Sequence, residues 1–126
     1  MTDDSPDPVL ALRGPVPVPT PELLAEEEAV KRVCRLYALS IDTRDGDMLR
    51  SAFSPDALVS GTLGESHVSD YLPMLETGVA AYEATQHNIT NQYVIVDGDT
   101  ARCWSYCVAL HFETPGNGHD DLAMGD

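Results

Sequence analysis

Near Thr85 the hydrophobic pattern of the sequence changes its period, and this change determines the fold class. Upstream, apolar residues recur every three or four positions, which is typical of helices that bury one face. Downstream, apolar and polar residues alternate in two long segments, as in half-buried strands. The two segments flank Asp97, Gly98 and Asp99, a strong signal for a hairpin turn. Helices followed by an antiparallel sheet predict an α+β fold.

The first helix has a clear start and a long apolar face. Thr20 can cap the helix N-terminus, Pro21 suits the first helical position, and Glu22 suits the positive end of the helix dipole. The apolar stripe runs as far as Asp42 and comprises Val30, Val33, Cys34, Tyr37, Ala38 and Ile41. We therefore expect one long amphipathic helix that ends near Asp42.

The middle of the chain predicts two further helices and one strand. Asp45 ends the first helix and caps a short helix over residues 48–53. A short strand over residues 57–60 precedes a turn at residues 61–64. The third helix is expected to have Ser66 as its cap, Pro73 as an irregularity in its middle, and an apolar face made of Val68, Tyr71, Leu72, Leu75 and Val79.

A chain of 126 residues with 43% hydrophobic content suits one globular domain. Six of its nine prolines lie within the first 21 residues, where they prevent both helix and strand hydrogen bonding. We expect an extended or disordered arm over residues 1–20 and an α+β domain over residues 21–126.

The formal net charge of −14 excludes two classes of partner. Such a surface repels phosphate backbones and anionic lipid headgroups, so neither nucleic acid nor a membrane is expected. The sequence opens with acidic residues and has no long apolar run, so we expect a cytoplasmic protein.

The three cysteines predict neither a disulfide nor a metal site. Cys103 and Cys107 lie four residues apart in an alternating segment, about 13 Å along a strand, which is too far for a disulfide. We expect reduced, mostly buried thiols. The Cys, His and carboxylate residues lack a zinc-ligand spacing with a matching second half, so no metal is expected.

Alternation assigns the residues of the two long strands to one face or the other of the sheet, because every second side chain of a strand lies on the same side. The first strand places together His87, Ile89, Asn91, Tyr93 and Ile95. The second places together Cys103, Ser105, Cys107, Ala109 and His111. This second set is made of small residues and leaves room for a ligand. The opposite face suits packing against helices or another subunit and carries Trp104, Tyr106, Val108, Leu110 and Phe112, although the reverse assignment stays open.

The register of the hairpin decides whether His87 and His111 can cooperate. A three-residue loop would put both on one face, whereas a two-residue turn would separate them. The sequence leaves both possibilities open. Taken singly, a strand histidine is more often structural than catalytic. Asp42 at the negative end of a helix dipole opposes that dipole, which suggests a specific role.

Four segments together resemble the SnoaL-like branch of the nuclear-transport-factor-2-like superfamily. They are RLYALSIDTRD at residues 35–45, FSPDA at 53–57, TQHNITN at 85–91 and VDGDTA at 96–101. The resemblance covers about residues 25–113. It implies a cone, in which a strongly curved antiparallel sheet is closed by helices around a deep apolar pocket. Relatives include scytalone dehydratase, bile acid dehydratase, ketosteroid isomerase, polyketide cyclases and limonene epoxide hydrolase, and many members without known activity.

The resemblance also implies roles for four residues. In the cofactor-independent dehydratases an Asp at the end of the first long helix hydrogen-bonds a His, which matches Asp42 and His87. Tyr37 matches a catalytic tyrosine of the bile acid enzyme. His111 matches the second pocket histidine of the scytalone enzyme.

Two departures from the family pattern limit what the resemblance implies. Ile41 and Gly61 stand where the scytalone enzyme has tyrosines, so that enzyme's substrate is not expected. The sequence stops at Asp126, where relatives usually continue with another strand pair. We therefore expect the C-terminal strands of the cone to be missing or supplied elsewhere.

Together these observations predict a cofactor-independent lyase or isomerase acting on a small hydrophobic carbonyl compound. His87, oriented by Asp42, would be the general base, and dehydration would be the reaction. The alternatives are a polyketide-type cyclase and a non-catalytic module for ligand binding or dimerisation. We expect a homodimer or homotrimer, and substrate contacts from Asn91, Ser105, Cys107 and Tyr71.

Overall fold

The computed structural model describes residues 12–114 and 123–125. In order, these contain α1 (Pro21–Thr43), α2 (Gly46–Ser51), β1 (Leu58–Gly61), β2 (Gly64–His67), α3 (Val68–Ala80), β3 (Ala84–Asp97), β4 (Thr100–Phe112) and β5 (Ala123–Gly125). Strands β1 and β2 form one antiparallel sheet, and β3, β4 and β5 form a second in that order. The predicted α+β fold with an antiparallel sheet is confirmed.

The proposed arm and domain are only partly covered by the described residues. Residues 12–20 contain neither helix nor strand. The rest of the arm, residues 1–11, lies outside the described residues, as do residues 115–122 and 126 of the predicted domain. Among the helices that are described, none is both long and apolar enough to cross a membrane.

Helix α1 begins and ends at its capping residues. The Thr20 hydroxyl oxygen accepts a hydrogen bond from the Leu23 backbone N–H at 3.2 Å, as the sequence predicts. At the other end Arg44 adopts the left-handed conformation, with φ of 55°. The Arg44 guanidinium then donates to the backbone carbonyls of Tyr82 and Glu83. The end of α1 is thereby tied to the segment that leads into β3.

The middle of the chain differs from its prediction in four details. The Asp45 carboxylate caps α2 by accepting from the Met48 backbone N–H at 2.9 Å, so α2 begins two residues earlier than predicted. The turn at residues 61–64 leads into an unpredicted strand, β2, in which Ser66 pairs with Val59 of β1. Because Ser66 is in a strand, the cap of α3 is His67, and Pro73 lies within α3 without interrupting it.

The β3–β4 hairpin combines a two-residue turn with a bulge. Asp97 pairs with Thr100, so only two residues form the turn. The register then shifts by one between Thr90 and Tyr93. Asn91 has φ of 46°, the left-handed conformation that an extra residue in a bulged strand commonly adopts.

The bulge places both histidines on one face of the sheet. With the turn alone, odd-numbered residues would pair with even-numbered ones, and the two rings would lie on opposite faces. Beyond the bulge His87 pairs with Ala109, and Thr85 pairs with His111. The prediction that Tyr93 and the other odd residues of β3 share one face is therefore wrong, because the bulge reverses the alternation.

Helix α1 packs across β3 and β4. The apolar core lies between the helices and the small β1–β2 sheet, and its buried members are Ile41, Leu49, Val68, Tyr71, Leu72 and Val79. The other face of the large sheet exposes Tyr106 and Val108. The homodimer or homotrimer remains a prediction.

Candidate functional site

The site is built around two hydrogen bonds from His87 to Asp42. Asp42 lies in the last turn of α1, and His87 lies near the start of β3. The His87 backbone N–H donates to Asp42 Oδ2 at 2.9 Å, and the two residues also join Nδ1 to Oδ1 at 2.7 Å. A carboxylate held by both the backbone and the ring fixes the orientation of the imidazole. The Asp42 carboxylate therefore binds β3 and does not cap the end of its own helix.

Thr85 supplies a third hydrogen bond to the same carboxylate. Its hydroxyl donates to Asp42 Oδ1 at 3.0 Å. Burial is the largest single influence on Asp42 and favours the neutral acid, but the bonds from His87 and Thr85 together outweigh it. The pKa of Asp42 is consequently lowered below its ordinary value. An ionised Asp42 accepts a hydrogen bond from the Nδ1–H group of His87, and in this tautomer of the neutral ring the free lone pair is on Nε2.

His111 lies beside His87 at the same end of the sheet. The two ring centroids are 6.0 Å apart and the rings are nearly perpendicular. The other neighbour of His111 is Tyr82, whose ring centroid is 4.7 Å away. The site thus contains two imidazoles, of which only His87 is hydrogen-bonded to a carboxylate within the described part of the chain.

Both imidazoles line a cavity of about 640 Å³. It lies between α1, α3, β1 and the large sheet that contains β3 and β4. Apolar side chains such as Ile41, Phe53 and Ile89 form much of its wall. No Lys, Arg, Asp or Glu is among the described residues that line it. Its volume lies within the range of small-molecule sites in proteins.

Tyr37 and Tyr71 add two phenols to the cavity wall. Burial raises the pKa of Tyr37, and the nearby Tyr71 and Cys107 raise it further, so Tyr37 stays protonated at neutral pH and can donate. Tyr71 is only 5% exposed, and its hydroxyl oxygen lies beside Gly61. A Cβ at Gly61 would overlap that hydroxyl oxygen. The missing side chain at Gly61 therefore makes the space that the Tyr71 hydroxyl occupies.

The remaining predicted substrate contacts fall into two groups. Ser105 and Cys107 line the cavity. Burial and then the negative charge of Asp42 raise the pKa of Cys107. Asn91 is exposed, sits in the bulge and does not line the cavity, so the expectation that it faces the substrate is corrected.

The three cysteines are not paired with one another in a disulfide. All three cysteines are free, but Cys107 is exposed and the other two are only partly buried, so the expectation of mostly buried thiols is wrong for Cys107. Over residues 12–114 and 123–125, no three His, Cys, Asp or Glu side chains are grouped as metal ligands.

A second cavity of about 410 Å³ lies beside Arg50 and Pro73. No histidine is among the described residues that line it, so it is not the candidate site.

The family is identified by the sequence. The profile of the SnoaL-like domain matches residues 22–126. This chain belongs to the SnoaL-like domain family. No curated protein matches the chain.

Solved structures share the fold of this SnoaL-like domain. The Kfla4162 protein from Kribbella flavida is 24% identical with a TM-score of 0.69, over 81% of this chain and 77% of that one. A candidate scytalone dehydratase from Novosphingobium aromaticivorans is 24% identical with a TM-score of 0.67, over 81% and 70%. A hexachlorocyclohexane dehydrochlorinase is 22% identical with a TM-score of 0.64, over 75% and 66%. At these identities the likeness shows the fold alone.

Two contributors to the SnoaL-like site were absent from the sequence prediction. Thr85 lies two residues before His87 and so shares its face of β3, a signal that strand alternation offers. Gln92 donates to Ser105 Oγ at 3.2 Å and to the Lys31 carbonyl at 3.4 Å. Simple alternation places Gln92 on the outer face, so only the bulge explains its contact with α1.

Proposed function

We propose that this SnoaL-like domain is a cofactor-independent lyase that removes water from a hydroxylated carbonyl compound. The observation that carries the proposal is the 2.7 Å contact between Asp42 Oδ1 and His87 Nδ1, in a pair whose imidazole lines an open cavity. A carboxylate that fixes an imidazole tautomer prepares the other ring nitrogen to act as a base near neutral pH.

The proposed reaction starts at the carbon next to the substrate carbonyl. His87 Nε2 takes a proton from that carbon, and the electron pair moves toward the carbonyl oxygen. Tyr37 or Tyr71 donates a hydrogen bond to the developing oxyanion. The electron pair then returns to form the carbon–carbon double bond as the β-hydroxyl group leaves. The proton on Nε2 passes to that hydroxyl, so one water is released and His87 regains its starting form.

His111 has a supporting role in this scheme. Its ring lies 6.0 Å from that of His87, which is close enough for both to contact one small substrate. We assign it a hydrogen bond to the leaving hydroxyl. No cofactor enters the scheme, because the substrate carbonyl itself stabilises the negative charge.

The substrate is proposed to be uncharged. A carboxylate or phosphate buried without a cationic partner is costly, and the cavity lining among the described residues offers no Lys or Arg. The overall charge of −14 adds a long-range repulsion of anions. An uncharged cyclic hydroxyketone satisfies both conditions and presents acceptors for the two phenols.

The test is a panel of cyclic β-hydroxyketones incubated with the protein. Turnover would appear as loss of one water by mass spectrometry and as the ultraviolet absorbance of the conjugated product. We expect His87→Gln to lower turnover by about 10²-fold or more. Turnover that survives His87→Gln would contradict the role of His87. A matched neutral and carboxylated pair of substrates tests the charge preference separately.

Ring closure of a polyketide-like substrate is the second candidate, because it begins with the same proton removal. Binding without catalysis is less well supported, since a hydrogen-bonded Asp and His pair at an open cavity exceeds what simple binding requires. Product analysis distinguishes these cases. A product of unchanged mass indicates isomerisation or cyclisation by proton redelivery.

A further inference from the structure

Two thiols meet across the wall of the cavity, at a distance from His87. Cys34 lies on α1 and Cys103 lies on β4, and their sulfur atoms are 3.7 Å apart. This is a contact between sulfur atoms of two free cysteines. The two residues are separated by 69 positions in the sequence. No part of the proposed lyase reaction uses either thiol.

The surroundings of the pair hold the two elements together. Cys103 Sγ lies 3.9 Å from Ser105 Oγ, and Ser105 accepts the hydrogen bond from Gln92. Gln92 also donates to the Lys31 carbonyl, one turn before Cys34 on α1. The thiols therefore face each other across a contact that polar side chains already fix. Bond formation has to bring these sulfur atoms from 3.7 Å to a bonding distance of about 2 Å.

The pair is remote from the proposed base along the sheet. Cys103 precedes Ala109, the partner of His87, by six residues of β4, about 20 Å of extended strand. Cys34 lies one helical turn before Tyr37, on the side of α1 that lines the cavity. A covalent bond here would fix the helix that carries Tyr37 without touching the Asp42 and His87 hydrogen bonds.

We propose that Cys34 and Cys103 are a thiol oxidation site that forms a reversible disulfide between α1 and β4. The oxidant class is a low-molecular-weight disulfide such as oxidised glutathione. One cysteine thiolate attacks a glutathione sulfur, forms a mixed disulfide and releases one glutathione. The second cysteine attacks the protein sulfur of that mixed disulfide and releases the other glutathione. Two thiols are oxidised, one disulfide is reduced, and the protein loses two hydrogens.

The disulfide stabilises the domain against unfolding. It closes a loop of about 70 residues, and long loops lose the most unfolded-state entropy when they are closed. We expect oxidation to raise Tm on the order of 10 °C, and a thiol reductant to reverse the rise. Burial and then the neighbouring Cys103 thiol raise the pKa of Cys34, so oxidation is expected to be faster at alkaline than at neutral pH.

The experiment treats the full chain with oxidised glutathione and then alkylates the remaining thiols. Mass spectrometry of the intact chain and of its peptides should show one disulfide, between Cys34 and Cys103, and one alkylated thiol at Cys107. Cys107→Ser should still form the bond and show the Tm rise. Cys34→Ser and Cys103→Ser should each abolish the disulfide and the rise in Tm, although each single substitution leaves two thiols in the chain.

Two results would overturn the proposal. One is full alkylation of Cys34 and Cys103 after oxidation, and the other is a disulfide that involves Cys107. The outcome does not depend on the proposed lyase activity, because mass and Tm are measured without substrate. Circular dichroism of each variant confirms that the reduced chain is folded before oxidation.

Discussion

Asp42 accepts hydrogen bonds from both the backbone and the imidazole of His87, at 2.9 and 2.7 Å. These bonds join the C-terminal turn of α1 to the start of β3, which are 45 residues apart in the sequence. They fix the position of the strand and the orientation of the ring together. The chemistry proposed for His87 therefore depends on a side chain from another element of the fold.

Replacing Asp42 by Asn should remove activity while keeping most of the fold. The amide N–H₂ would donate to Nδ1, so the proton would move to Nε2 and the base would be lost. We expect turnover to fall by about 10²-fold or more. Thr85→Val is the matched control, because it removes one hydrogen bond to the same carboxylate and leaves the His87 contacts in place. We expect Thr85→Val to lower the free energy of unfolding by about 1.5–3 kcal/mol and to lower turnover far less than Asp42→Asn does. Equal losses in the two variants would contradict the assigned roles.

The stability of the domain should depend on Asp42 at acidic pH. The pKa of Asp42 is lowered in the folded protein, so the unfolded chain binds its proton more tightly. The stabilisation is complete above the ordinary value of about 3.9 and is lost as pH falls through the lower folded pKa. Urea unfolding of wild type and Asp42→Asn should give a free-energy difference that narrows below about pH 4. A difference that widens with acidification would contradict this.

The bulge should be sensitive to the residue at Asn91. Its φ of 46° is strained for a residue with a branched β-carbon, whereas glycine adopts this backbone conformation without strain. Asn91→Gly should preserve the free energy of unfolding, and Asn91→Val should lower it by about 1–2 kcal/mol. Thr90→Val is the control, since Thr90 is exposed on the same strand without a positive φ. Similar losses at both positions would argue against a bulge at Asn91.

Gly61 and Tyr71 should behave as a coupled pair. Gly61→Ala places a methyl group against the Tyr71 hydroxyl, and we expect it to cost about 1–3 kcal/mol of stability. In Tyr71→Phe the nearest ring carbon, Cζ, lies 3.3 Å from that methyl position, so Gly61→Ala should cost much less. A double-mutant cycle of unfolding free energies measures the coupling. Additive effects would show that the hydroxyl does not occupy this space.

The helices of this domain follow from local signals, which is why their prediction holds. Thr20 and Asp45 cap helices because a side-chain oxygen three residues upstream can satisfy a free backbone N–H. Strand β2 gives no such signal. Its four residues are mostly polar and exposed, and pairing with β1 creates it.

The site was predictable in its residues and not in its geometry. Asp42 and His87 could be paired only through the family resemblance, because hydrophobic periodicity says nothing about which strand meets the end of α1. The common face of His87 and His111 depends on two features that cancel, a two-residue turn and a one-residue bulge. Asn91 is compatible with a regular strand as well as with a bulge, so alternation alone misplaces Asn91, Tyr93 and Ile95.

The central claim, that His87 is a base activated by Asp42, can be tested without knowing the leaving group. A simple cyclic ketone dissolved in D₂O with the protein should exchange its α-protons for deuterium. The exchange is measured as the loss of the proton NMR signals of these α-protons. We predict that wild type accelerates this exchange above the buffer rate and that folded His87→Ala loses about 10²-fold or more of the acceleration. Wild-type exchange no faster than in buffer, or equal exchange in His87→Ala, would contradict the claim.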